Sequence, residues 1–179
     1  PDGVPAKAPL GKTFNGVTGK NLSNPVPQDV PGLPQPPDVS GKVLVAPVTV
    51  VENPQHPASF KYFTPDPDPG EEYPHINTQL FNTIKPPSNL PPSSVPLIPS
   101  ENQGFVKDYV ENFLRNEEKK MPTYEEYKQI MECYSTDAVP VLTTLAREFG
   151  VFDHWFCSVP SQTWCNRAFW NAGTSWGHV

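Results

Sequence analysis

Thr163 and Asn166 are the sharpest chemical pair in the chain. They lie in TWCNRAFWNAG, a stretch that reads as a helix starting at Thr163 and ended by Gly173. Residues three apart on a helix share a face. A hydroxyl nucleophile needs its proton removed or its oxygen ionised, and a metal ion can do either. An amide one turn further on can hold a phosphoryl oxygen. Spacing alone favours an ordinary cap at Thr163 and a surface polar residue at Asn166. Among the four histidines, His75 and His56 fall in loop-like segments. His154, in FDHWF, reads as a packed, hydrogen-bonded residue, and His178 has no partner in sequence. None of them has metal-ligand spacing with a cysteine.

The elements around the pair explain how it could be positioned. Val151 to Phe156, VFDHWF, reads as a short buried strand, followed by a turn over 158–162 and the helix from Thr163. Helix, strand, sharp turn, helix is an α/β succession. Open α/β sheets bind ligands beyond the carboxyl ends of their strands. A hydroxyl in the first turn of the next helix meets free backbone N–H groups and a dipole that favours phosphate.

Upstream, Phe105, Tyr109, Phe113 and Leu114 mark one face of a helix. Thr123 and Glu126 form a capping box for a helix carrying Tyr127, Ile130, Met131 and Tyr134. Another helix opens near Thr136 or Asp137 and tolerates Pro140 in its first turn. Its apolar face is Val141, Leu142, Leu145 and Phe149, with Gly150 as the stop. Acidic residues between Glu101 and Glu132 alternate with Lys and Arg and read as solvated helix faces.

The 179 residues include 25 prolines, about 14% against an ordinary ~5%. Residues 1–100 carry 22 of them and 101–179 carry 3. Each proline removes a backbone donor and fixes φ. The chain therefore divides into an irregular proline-rich part, 1–100, with short strands, and a conventional part, 101–179, both within one larger domain. The strand KVLVAPVTVV, 42–51, is held to an edge or a bend by Pro47. Two proline-rich crossings span 25–37 and 85–99, and 73–83 holds a short helix. PQPP at 34–37 also suits polyproline II recognition. A structural or proline-rich interaction module is therefore the reading that competes with an enzyme.

The net charge of −6 argues against a nucleic-acid binder held by counterion release. No run of 18 apolar residues occurs. Cys157 and Cys165 flank the 158–162 turn as two small buried residues or as a bridge that leaves Cys133 free. Gly11-Lys12-Thr13 lacks the glycine and preceding strand of a phosphate-binding P-loop. Asn21-Leu22-Ser23 is a glycosylation sequon.

The segment 139–177, VPVLTTLAREFGVFDHWFCSVPSQTWCNRAFWNAGTSWG, carries a resemblance. It is similar to blocks of the phosphoesterase family of bacterial phospholipases C, acid phosphatases and plant non-specific phospholipases C. FNGVTGKNLSNPVP at 14–27, PDPGEEYPHINTQLF at 67–81 and GFVKDYV at 104–110 resemble lesser blocks in the same order. The resemblance implies part of an alkaline phosphatase-like α/β/α sandwich and hydrolysis of phosphate mono- or diesters, such as phospholipid head groups, through a phospho-enzyme. Thr163 would be the nucleophile and a ligand to a divalent metal ion. Asn166 would bind the phosphate, Arg167 would support it, and His75 would stand in for a histidine that many relatives carry just after the DPG turn. The family's Glu-Asn metal pair and C-terminal Asp pair have no match in this sequence. The chain thus reads as an internal piece whose other metal ligands, and the segments or partner chain completing the fold, lie outside it. A secreted or periplasmic site is the resemblance's expectation.

Overall fold

A computed structural model describes residues 15–17, 19–38, 40–48, 51–53, 56–61, 65–84, 100–115 and 119–179. The expectations placed on 85–99, on the His56 side chain and on Gly11 to Thr13 lie outside the described residues. The chain forms two compact units, each built from separate stretches. Secondary structure is mixed, with helices and short strands.

The first unit comprises residues 1–22, 45–64 and 132–156. In it β3 (Ala46–Pro47) pairs in parallel with β6 (Glu132–Cys133), and β4 (Val51–Asn53) pairs antiparallel with β5 (His56–Lys61). Its helix α4 (Pro140–Glu148) has Pro140 at its first turn, where the missing N–H costs nothing. The helix starts later than Thr136 or Asp137. It stops because Phe149 turns to extended backbone, without a left-handed Gly150. The expected apolar face is present, but Val141, Leu142, Leu145 and Phe149 are exposed.

The segment VFDHWF is not a strand. A strand exists only through hydrogen bonds to a neighbour, and no described strand flanks it. Phe152, Trp155 and Phe156 are 68–77% exposed. His154 is likewise exposed and bonds Asp153, with Nδ1 to Oδ1 at 2.9 Å.

The second unit comprises 23–44, 65–131 and 157–179. Here β1 (Ser23–Pro25) pairs antiparallel with β2 (Lys42–Leu44), in register Asn24 to Val43. Val43 points inward while Lys42 and Leu44 are exposed, the alternation of a half-buried strand. KVLVAPVTVV is thus not one strand. The β1 ladder ends at Leu44, with one further bond from Val45 N to Leu22 O at 2.9 Å, and Ala46–Pro47 pairs instead with Glu132–Cys133.

The core of this unit is Val26, Leu33, Val43, Val106, Tyr109, Val110, Phe113, Tyr127 and Met131. Four of these nine, Val106, Tyr109, Val110 and Phe113, come from α2 (Phe105–Arg115), whose apolar residues recur at helical spacing. Asn24 caps α2 from a distance. Its Oδ1 accepts from the backbone N–H of Phe105 at 2.7 Å and of Val106 at 3.4 Å, and its Nδ2 donates to Asn102 O at 3.0 Å. That satisfies two of the donors a helix start leaves open.

The box at Thr123 and Glu126 is present and opens α3 (Tyr124–Tyr127). The helix tightens into a 3₁₀ turn over Lys128–Met131 and ends before β6, so Tyr134 lies beyond it. The PQPP stretch is built into this unit. Pro36 is buried, and the Pro34 carbonyl accepts from the Tyr127 hydroxyl at 2.7 Å. No helix is long and apolar enough to cross a membrane, among the described residues.

Candidate active site

Helix α5 (Thr163–Ala172) ends at Gly173, whose φ of 71° is the left-handed cap that glycine adopts without strain. At its other end Gln162 is the N-cap and Thr163 the first helical residue. Thr163 is therefore not a cap. It is exposed, beside the open N–H groups of the first turn.

Asn166 builds the turn that holds Thr163 there. Its Nδ2 donates to Ser161 O at 2.9 Å, Val159 O at 3.1 Å and Gln162 O at 3.2 Å, and its Oδ1 accepts from Val159 N at 3.2 Å. Three carbonyls share two N–H groups, so residues 159–162 are wound around one carboxamide. In this arrangement Asn166 reaches a phosphate only by giving up some of these bonds. Arg167 is exposed one residue on. Cys157 is exposed and Cys165 buried, and both are free thiols.

His75 lies on α1 (Tyr73–Phe81), not in a loop. Pro74 starts that helix, and Asn82, at a φ of 57°, ends it. His75 Nδ1 stands 2.8 Å from Asp108 Oδ1. The second Asp108 oxygen accepts from Gln79 Nε2 at 2.8 Å, and the same Gln79 nitrogen bonds Gly70 O at 2.9 Å. Asp108 is only 3% exposed, so the expectation of solvated acids along 101–132 fails at this residue. Burial outweighs its hydrogen bonds and holds its carboxyl above the usual carboxylate range. Asp108 and Gln79 were not legible as site residues; the one local hint is the four-residue spacing of His75 and Gln79.

His75 faces a polar cavity of about 380 Å³ lined also by Asp68, Pro69, Gly70, Glu71, Glu72, Asn112 and Gln162. It reaches the residue before Thr163. The structure therefore brings His75 and the Thr163 turn toward one cavity, within one unit. Its described lining has three carboxylates and no Lys or Arg, so an entering phosphate meets negative charge unless a cation or a protonated His75 accompanies it. Among the described residues no group of three or more His, Cys, Asp or Glu could hold a metal ion. The described residues alone therefore do not fit a complete metal centre.

Comparison with known proteins gives a family for the chain. A model described as "Phosphoesterase family" matches residues 10–178. The chain is 32% identical over 112 residues to non-specific phospholipase C1 of Arabidopsis thaliana, covering 63% of this chain and 17% of that protein. It is 29% identical over 171 residues to non-specific phospholipase C6 of the same plant, covering 96% and 24%. Against non-specific phospholipase C3 it is 34% identical over 112 residues, covering 63% and 18%. The chain thus spans no more than about a quarter of the length of these relatives.

Proposed function

The chain belongs to the phosphoesterase family, and from that premise we propose that it is the nucleophile-bearing segment of a phosphoric ester hydrolase. The observation that carries the reading is the turn at 159–162. It is wound on Asn166 and presents an exposed Thr163 hydroxyl at the start of α5, inside the block that resembles the family's site.

In this reading the Thr163 oxygen attacks phosphorus in line and the ester oxygen leaves on the opposite side. Water then hydrolyses the phosphothreonine. The open N–H groups of the first turn of α5 favour the phosphoryl oxygens. Asn166 joins them to the extent that it releases the turn, and Arg167 supports from the same helix. The substrates are phosphate mono- or diesters. Phospholipids are the preferred class, because the relatives are named as phospholipases C. A divalent metal ion belongs to the proposal with Thr163 as one ligand and the remaining donors outside the described residues.

The larger fold in this reading is an α/β/α sandwich. The exposed apolar residues of α4 and of 151–156 are then the surface on which the rest of it packs. The competing interaction-module reading is weakened by the burial of Pro36 and the bond at Pro34, which leave PQPP little freedom to enter a partner's groove.

The test is Thr163→Ala, assayed for phosphatase and phospholipase C activity in the gene product that carries the activity. The expected loss is about a thousandfold or more, with phosphothreonine trapped at Thr163 in the unaltered protein. An unchanged rate would refute the assignment.

A further inference from the structure

Helix α2 has a second buried face besides its apolar stripe. Asp108 and Asn112, one turn apart, are each 3% exposed, and Asn112 lines the cavity while Asp108 bonds His75, which lines it too. Asn112 Nδ2 donates to Asp68 O at 2.9 Å, and the Tyr109 hydroxyl donates to Pro67 O at 2.7 Å. Asp108 holds His75 and Gln79, which share a face of α1. Gln79 passes the hold on to Gly70. From the other side Gly70 lies flat against the His75 ring, since a methyl there would stand 2.6 Å from His75 Cδ2.

We propose that Asp108 is a positioning residue that orients His75 on the cavity wall and fixes its tautomer. The inference rests on the reading of this cavity as part of a phosphoesterase site. An ionised Asp108 can only accept, so the neutral His75 ring carries its proton on Nδ1. In that tautomer Nε2 is the ring's acceptor. An imidazole held in one plane and one tautomer by a buried carboxylate is ready to take a proton or to orient an attacking water, which a freely rotating ring is not. The chemistry needs Asp108 for its charge and geometry. Bulk packing belongs to its neighbours Val106, Tyr109 and Val110.

The experiment reads the His75 ring nitrogens by NMR in the histidine-labelled chain, at a pH where the ring is neutral by its own titration. The expected result is the Nδ1–H tautomer, and an Nε2–H tautomer would overturn the proposal. This readout needs no variant, so a substitution that unfolds the chain does not spare the idea. Asp108→Asn is expected to shift the ring toward Nε2–H. It should also lower kcat about ten- to a hundredfold, the range typical of removing the partner that orients a working histidine. Gly70→Ala, which pushes the ring from the opposite side, should lower kcat with Asp108 intact. Val106→Ala thins the core beside Asp108 and should lower the melting temperature without moving the tautomer. An equal tautomer shift in that variant would make the role merely structural and sink the proposal. Thr163→Ala separates the two ideas: a retained rate there removes the hydrolase reading, while the ring nitrogens still decide whether Asp108 positions His75.

Discussion

Gly104→Ala tests how closely α1 and α2 must approach for the site to form. Gly104 directly precedes α2 and donates its N–H to Gln79 O at 3.1 Å. A methyl placed there would overlap the Thr78 carbonyl oxygen, stand 2.7 Å from the Thr78 carbonyl carbon and reach 3.3 Å from Asn82 Cα. All three are backbone atoms of α1 and its cap, so no side chain can rotate away. An ordinary carbon–carbon separation of about 3.5 Å would by itself need roughly 0.8 Å between the backbones, and clearing the overlapping carbonyl oxygen needs more. Overpacking of this kind costs about 1–3 kcal/mol, and the strained Gly104 to Gln79 hydrogen bond adds about 1 kcal/mol. The narrower unfolded ensemble of alanine returns about 0.4–1 kcal/mol. The balance spans about 1–3.6 kcal/mol, and overlap with a backbone oxygen that cannot rotate away puts it in the upper part, about 3 kcal/mol. For a chain of this size that lowers the melting temperature by about 6–12 °C. Urea unfolding followed by far-UV circular dichroism measures it, and amide exchange should quicken at 78–82. A stability within about 0.5 kcal/mol of the unaltered chain would show that the helices do not meet as described.

Three further outcomes follow from the hydrogen bonding. Asn166→Asp replaces two donors by acceptors facing the carbonyls of Val159, Ser161 and Gln162, so the 159–162 turn should open, with a loss of about 2–3 kcal/mol; an unchanged denaturant midpoint would mean that the carboxamide does not brace the turn. Asn24→Ala strips two N–H groups from the start of α2 and should cost about 1–2 kcal/mol, measured as a shift in urea midpoint at constant slope. The pH dependence has a definite sign: Asp108 is held above its ordinary 3.8 by burial, so the folded chain binds that proton more tightly than the unfolded chain does. Its contribution is fullest below 3.8 and is lost as pH rises through the raised value; subtracting the Asp108→Asn stability curve from that of the unaltered chain should show this fall, and a flat difference would refute it.

Local chemistry was legible in the sequence and distant pairing was not. The short helix over 73–83 and the helical spacing of Phe105, Tyr109 and Phe113 were legible because helices close their own hydrogen bonds. The Thr123–Glu126 box and Gly173 marked their helix ends for the same reason. VFDHWF failed as a strand because a strand's partner is not written in its own residues. The cap on α2 comes from Asn24, 81 residues away, and no local pattern signals it. Asp108 looked like one more acid on a charged helix, since the residues that bury it lie on α1. At the proposed site, Thr163 was singled out by its place after a turn and by resemblance. The work that Asn166 does on that turn follows from side-chain geometry that spacing alone does not carry.

The exposed apolar surface has an optical consequence. All four tryptophans, Trp155, Trp164, Trp170 and Trp176, are 68–86% exposed. Their indole dipoles are relaxed by water in the folded chain nearly as fully as in the unfolded one. Denaturing the chain should therefore barely shift its tryptophan emission, and a fluorescence melt would look flat while the core around Tyr109 and Tyr127 came apart. A blue shift instead marks these rings being covered, so the intrinsic fluorescence of this chain reports what docks on it and says little about whether it is folded.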